Sequence, residues 1–199
     1  AGAGINLERY KMQPYPKHTR IHFLYLGRIM KEKGIDELFY AVRHLKKENE
    51  NFVLDLVGFF EDEYKEQVKE LEKHSIAHFY GFQSDPRPFY IEADCVVLPS
   101  YHEGMSNVLL EAAATGRPVI TSNIPGCRES VENGKSGLLV EVKNKEMLYD
   151  AMKEMLHCSR EEREQMGQAG REKIEREFRK EVVVEKTVQS LREDEKRDF

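Results

Sequence analysis

The amino-acid sequence predicts an α/β fold: a doubly wound parallel sheet of about six strands with helices on both faces, followed by C-terminal helices. Six short apolar runs rich in β-branched and aromatic residues recur along the chain, and helix-period segments separate them. The runs are nearly continuous in their apolar character rather than alternating, as strands covered on both faces require.

Residues 1–20, which begin "AGAGINLERYKMQPYP", show neither period and read as an extended lead-in segment whose first residue or two are an expression remnant. Strands are expected at Ile21–Gly27, Phe52–Gly58, Ile76–Gly81, Cys95–Ser100, Pro118–Ser122 and Gly137–Val140. Between and after them, "IDELFYAVRHLKKE", "EYKEQVKELEKH", "DPRPFYIEA", "SNVLLEAAATG" and "NKEMLYDAMKEML" carry the helical period. Residues 21–158 therefore form one Rossmann-like domain. From Ser159 to the end the chain is highly charged and helical; Ile174 and Phe178 lie one turn apart, and Val182 to Val184 are the one later apolar cluster. Two appended helices are expected over 159–199, with the final "REDEKRDF" solvated.

Composition narrows the function classes. The 199 residues hold 31 Lys+Arg against 36 Asp+Glu, a formal charge of -5, with no basic block of the kind nucleic acid demands. Cys95, Cys127 and Cys158 are far apart and form no CxxC, which points to a reducing, cytoplasmic setting and away from disulfides or structural zinc. No apolar run approaches the roughly 20 residues of a membrane span, so membrane contact, if any, is peripheral. The histidines have no ligand spacing, and neither an Asp-x-Asp pair nor G-x-S-x-G occurs, so no metal, no cofactor and no serine nucleophile are expected.

Ligands of open parallel sheets bind beyond the carboxyl ends of the strands. Turns rich in Gly, Pro or Ser fall there: Gly27-Arg28, Gly58, Gly81, Ser100 to Gly104, and Ser122 to Gly126. After the first strand comes "GRIMKEKG", where Arg28 and Lys33 flank a loop leading to a helix start; two cations and a helix N-terminus suit one anion, above all phosphate. The same two residues also read as solvated surface cations. No G-x-G-x-x-G or G-K-[ST] is present, which weakens dinucleotide and nucleoside-triphosphatase readings.

"HEGMSNVLLEAAATGRPV" (His102 to Val119) holds two carboxylates, Glu103 and Glu111. Gly104 permits a tight turn and Ser106 or Asn107 can cap a helix ending at Gly116, so Glu103 belongs to the turn and Glu111 to the helix. Asn107, Glu111 and Thr115 form a narrow polar stripe on an otherwise apolar helix. That stripe meets either solvent or a ligand cleft; periodicity leaves both open. Cys127, in "IPGCRE", reads as a small packing residue.

Taken in order, "GR....KG", "LVG", "FYGF", "ADCVVLPS", "EG......LEA.A.GRPVI" and "PG..E.V..G..GLLV" resemble the C-terminal, donor-binding domain of retaining GT-B glycosyltransferases of family 4, over roughly Gly4 to Val184. The wording "EGMSNVLLEA" and "PGCRE" looks most like bacterial enzymes of capsular and other surface polysaccharides. The resemblance implies that Arg28 and Lys33 bind the donor diphosphate after Gly27, that Glu111 binds the ribose, and that Glu103 lies against the transferred sugar. Met105, Ser106, Asn107 and Val108 would offer backbone N–H groups to sugar and β-phosphate, Gly104 of the turn would also belong to the donor site, and the base would rest near Gly81 and Phe82. Arg28, Lys33 and Glu103 would thus carry the catalytic role, stabilising charge on the departing diphosphate and orienting the sugar without a metal.

The donor implied is a nucleotide sugar, above all a UDP-sugar, and the product a hexose moved to a glycan or lipid-linked acceptor at the cytoplasmic face of the membrane. Family members have two Rossmann-like domains, and these residues match the second. The chain is accordingly expected to bind nucleotide without transferring sugar, with the acceptor reached through the N-terminal domain and the helical tail packing toward it. One turn departs from the family: "FFEDEYKEQ" stands where a glycine-rich sequence is common. The alternatives are a non-catalytic α/β regulatory or interaction domain, and an ADP-sugar-using transferase of glycogen-synthase or sucrose type.

Overall fold

Six parallel strands form one sheet in the order β3-β2-β1-β4-β5-β6. The computed structural model describes residues 4–195. Its strands are β1 (Ile21–Leu26), β2 (Phe52–Val57), β3 (Ala77–Phe79), β4 (Cys95–Leu98), β5 (Val119–Ser122) and β6 (Gly137–Val140). Helices α1 (Ile35–Lys47), α2 (Lys65–Lys73), α3 (Arg87–Glu92) and α4 (Asn107–Ala114) connect the first five strands. A 3₁₀ turn at Arg128–Ser130 lies between β5 and β6, and α5 (Lys145–His157), α6 (Arg160–Glu177) and α7 (Lys180–Glu195) complete the described chain.

Strand pairing follows from burial. All six residues of β2 are buried, as a strand sandwiched between two helical layers must be. One of them is Asp55, a polar exception whose Oδ2 accepts from His22 Nδ1 at 2.8 Å. The third strand lies at an edge of the sheet and is shorter than its apolar run, with Ala77, His78 and Phe79 in register opposite Leu54, Asp55 and Leu56. Helices α1 and α5 pack on one face, while α4 and α6 pack on the other. Chain direction reverses its lateral progress between β1 and β4, which are hydrogen-bonded neighbours; the crevice beyond their carboxyl ends is the switch point of a doubly wound sheet.

The two ends of the chain are more integrated than an extended lead and an appended tail suggest. Ile5, Tyr10 and Tyr15 are buried, and Arg160 of α6 donates to the carbonyls of Tyr15 at 2.7 Å and Pro16 at 3.1 Å. Ile5 N–H donates to Phe178 O at 2.8 Å, and Lys180 N–H donates back to Ile5 O at 3.1 Å. Ser159 opens α6 with a reciprocal capping box to Glu162, and Ile174 and Phe178 join the core. Of the "REDEKRDF" stretch expected to be solvated, Arg192 to Glu195 continue α7; residues 196–199 lie outside the described residues, as do 1–3 with their expected remnant. No helix among the described residues is long and apolar enough to cross a membrane.

Candidate functional site

A cleft of about 300 Å³ opens at the switch point, lined by Leu26, Gly27, Arg28 and Lys33 on the β1 side and by Glu103, Met105, Ser106, Asn107 and Val108 on the β4 side. Two glycines bring these walls together. Gly34 adopts φ 73° at the start of α1, and a Cβ there would fall 2.1 Å from Pro99 O, so the β1 loop can lie flush against the end of β4. Gly126 adopts φ 87°, and a Cβ would fall 1.5 Å from Gly104 O; its own carbonyl accepts from Ser106 N–H at 3.0 Å. The turn carrying Glu103 is therefore braced from behind by the loop after β5.

Within the cleft, Lys33 Nζ donates to Glu103 Oε1 at 2.6 Å, and Ser100 Oγ donates to the same oxygen at 2.8 Å. Both members of the ion pair are 16% exposed, so the pair is only partly screened by water. Arg28 is held differently: its Nη1 donates to both oxygens of Glu61 at 3.1 and 2.8 Å, with the side chains 47% and 41% exposed. Glu61 comes from the "FFEDE" turn, which is latched to the first loop by Ile29 N–H to Phe59 O at 2.8 Å and Lys31 N–H to Asp62 Oδ2 at 2.8 Å. Each cation thus has a carboxylate partner and shares the cleft with the start of α4. Ser106 occupies the N-cap of α4 without a side-chain cap bond, so the positive end of that helix points into the cleft.

Glu111 does not line this cleft. It lies one turn further along α4, half-buried, and its Oε2 accepts from the Tyr90 hydroxyl at 2.9 Å. The polar stripe therefore has a partly covered fate: Asn107 is exposed at the cleft, Glu111 meets tyrosines, and Thr115 is buried with its hydroxyl donating to Glu111 O at 2.8 Å. Burial raises the Glu111 carboxyl above its ordinary range, while hydrogen bonds from Tyr10 and Tyr90 pull it down. Gly81 and Phe82 are also outside the cleft lining. They come after the edge strand β3, where Gly81 O accepts from Gly58 N–H at 2.9 Å and Phe82 is 69% exposed. Gly104 sits in the turn itself, with its carbonyl under Gly126.

Four contributors escaped sequence reasoning. Ser100 carried a faint signal, a hydroxyl three residues before Glu103. Glu61 lay in a turn whose acidic wording stood out, with nothing to aim it at Arg28. Tyr90 and Tyr10 had no signal, since 21 and 101 residues separate them from Glu111. Cys127 is fully buried and its thiol is pushed up to about 11 by burial, which suits packing. A larger hollow of about 400 Å³ lies beneath the lead-in segment between Arg9, Gln13, Arg87 and Thr115. Its Arg87 already forks onto Asp85 at 2.7 and 2.6 Å.

Comparison with known proteins bears on the fold and the family. The chain is 28% identical over 193 residues to the capsular polysaccharide biosynthesis glycosyltransferase CapM of Staphylococcus aureus, spanning 92% of this chain and 50% of that protein. It thus covers about half the length of that relative. The C-terminal domain of a glycosyl transferase group 1 family protein, LpcC of Francisella tularensis, superimposes with a TM-score of 0.71 at 25% identity, covering 88% of this chain and 99% of that one. HepE of Anabaena, solved with UDP, shares the fold at a TM-score of 0.80 and 19% identity, over 96% of this chain and 56% of that one. The profile of the family described as glycosyl transferases group 1 matches residues 8–173, and the chain belongs to that family.

Proposed function

We propose that the switch-point cleft binds the diphosphate of a nucleotide sugar, and that the chain is the donor half of a retaining hexosyltransferase. The observation that carries this is the convergence of Arg28, Lys33, Glu103 and the start of α4 on one cleft. An incoming diphosphate replaces Glu61 on Arg28 and Glu103 on Lys33, taking charge-assisted bonds from both cations and backbone bonds from the N-terminal turn of α4. Released from Lys33, Glu103 turns to the hydroxyls of the sugar. Arg28, Lys33 and the helix amides stabilise the negative charge that grows on the departing diphosphate, a role met by preorganised electrostatics without a metal. Glu111 takes the ribose hydroxyls, and the base extends toward Gly81 and Phe82. The acceptor, a glycan or lipid-linked saccharide of surface polysaccharide synthesis, reaches the sugar from a second domain such as the remaining half of CapM would supply, and full transfer needs that domain.

UDP is the first ligand to try, because a protein of the same fold, HepE, carries it. Calorimetric titration with UDP, GDP, ADP and TDP should give a dissociation constant on the order of 10 μM to 1 mM for one of them, about -4 to -7 kcal/mol. Lys33→Ala and Glu111→Ala should each weaken it. Silence toward all four nucleotides, or unchanged binding in both variants with the circular dichroism intact, overturns the reading.

A further inference from the structure

Glu111 is a carboxylate among Leu109, Leu110 and Ala112 to Ala114, all buried, and a charge in such surroundings needs donors from outside its own helix. Two phenols approach it from two separate elements. Tyr90, fully buried on α3, donates to Oε2 at 2.9 Å. Tyr10, from the lead-in segment and 7% exposed, lies beside the same carboxylate, near enough to lower its titration together with Tyr90. Its ring meets that of Tyr90 edge-on at 6.3 Å and 75°. The Tyr10 backbone is itself pinned, with its carbonyl accepting from Arg171 Nη1 at 2.8 Å and its N–H donating to Asn6 O at 3.0 Å. Both rings are buried, and the Tyr90 bond restrains the carboxylate.

We infer that Tyr90 and Tyr10 are positioning residues that hold Glu111 in the rotamer able to accept the two vicinal hydroxyls of a ribose. This rests on the assignment of Glu111 to the ribose of a nucleoside diphosphate. An ionised carboxylate has about four acceptor positions, so two phenols leave the remainder for a diol. A freely rotating glutamate would have to be ordered at the moment of binding; one already clamped is ordered in advance. The arrangement also makes the lead-in segment part of the site, although it precedes the first strand.

The competing account is that each tyrosine hydroxyl takes the nearest acceptor and serves only the fold. Titration of the chain with UDP and with 2′,3′-dideoxy-UDP separates the two. The unmodified chain should prefer UDP, and Glu111→Gln should erase most of that preference. Tyr90→Phe and Tyr10→Phe should each lower UDP affinity about 2- to 10-fold, the range for loss of one hydrogen bond, while leaving the dideoxy ligand unchanged. A purely structural role would weaken both ligands equally or neither, and would overturn the inference while leaving the ribose assignment intact. Preference retained in Glu111→Gln would overturn the assignment and the inference together. Tyr10→Phe, at the chain's periphery, keeps the test available if Tyr90→Phe fails to fold.

Discussion

The dipeptide Gly-Arg occurs after β1, before β5 and within α6, and the arginines of the first two live in opposite environments. Arg117 is 0% exposed and donates to five backbone carbonyls: Tyr90 at 2.8 Å, Pro14 at 2.9 Å, Ile91 at 3.0 Å, Gly116 at 3.2 Å and Gln13 at 3.4 Å. Its guanidinium also lies 5.4 Å from the centroid of the Tyr15 ring. Arg28 is 47% exposed and is held through one nitrogen by a carboxylate on a neighbouring loop. Fixed carbonyls that have no other donor make a permanent partner. A half-solvated carboxylate makes an exchangeable one, since an exposed ion pair contributes only about 0–1 kcal/mol and a phosphate can take its place. The buried arginine builds the fold by tying the lead-in segment to α3 and β5; the exposed one is available for chemistry.

Substitution of Arg117 should give the largest effect. Arg117→Met removes the donor to five buried or half-buried carbonyls and should lower unfolding stability by about 3–5 kcal/mol, the range for breaking a buried charged cluster. Arg117→Lys should recover little, because an ammonium cannot reach the same fork of acceptors. Urea denaturation of both reads this directly, and a midpoint equal to that of the unmodified chain would erase the distinction between the two arginines. Lys33→Ala should lie at the other pole: UDP affinity falls roughly 10- to 100-fold, as loss of a charge-assisted bond of about 1.5–3 kcal/mol requires, with the denaturation midpoint little moved.

Smaller effects sharpen the exchangeable side of the comparison. Glu61→Gln frees Arg28 from its partner and should tighten UDP binding by up to about fivefold at low salt, the gain disappearing as ionic strength rises. A loss of affinity instead would show that Glu61 orients Arg28 rather than competing for it. The pH dependence of Glu111 should be smaller still. Burial raises its carboxyl, so the folded chain binds that proton more tightly than the unfolded chain does, and this favours the fold at low pH. The benefit is lost as pH rises through the raised value. Ribose binding runs the other way, weakening as pH falls through the same value, and Glu111→Gln should flatten both profiles.

Much of the architecture was legible because it depends on local patterns. Near-continuous apolar runs such as "FVLDLVG" and "CVVLPS", of strand length and rich in valine, read as strands covered on both sides, and the intervening segments bury one face at the helical period. The strand ends, and with them the positions of Arg28, Lys33 and Glu103, followed from that alternation. Less legible was everything settled by pairs distant in sequence. Seventy residues separate Lys33 from Glu103, and 33 separate Arg28 from Glu61. The lead-in segment lacked any period because its three buried side chains, Ile5, Tyr10 and Tyr15, answer to α3, α4 and α6 rather than to one another.

By itself, then, the sequence determined the order and type of the elements and the places where a ligand could meet the sheet, since hydrophobic period and turn chemistry are short-range properties. Only the tertiary structure decided that the Gly-Arg before β5 should be buried under main-chain carbonyls and the one after β1 left at the mouth of a cleft, and that Glu111 should lie beside two tyrosines. Both outcomes depend on which distant groups arrive within hydrogen-bonding distance, and a dipeptide holds no record of that.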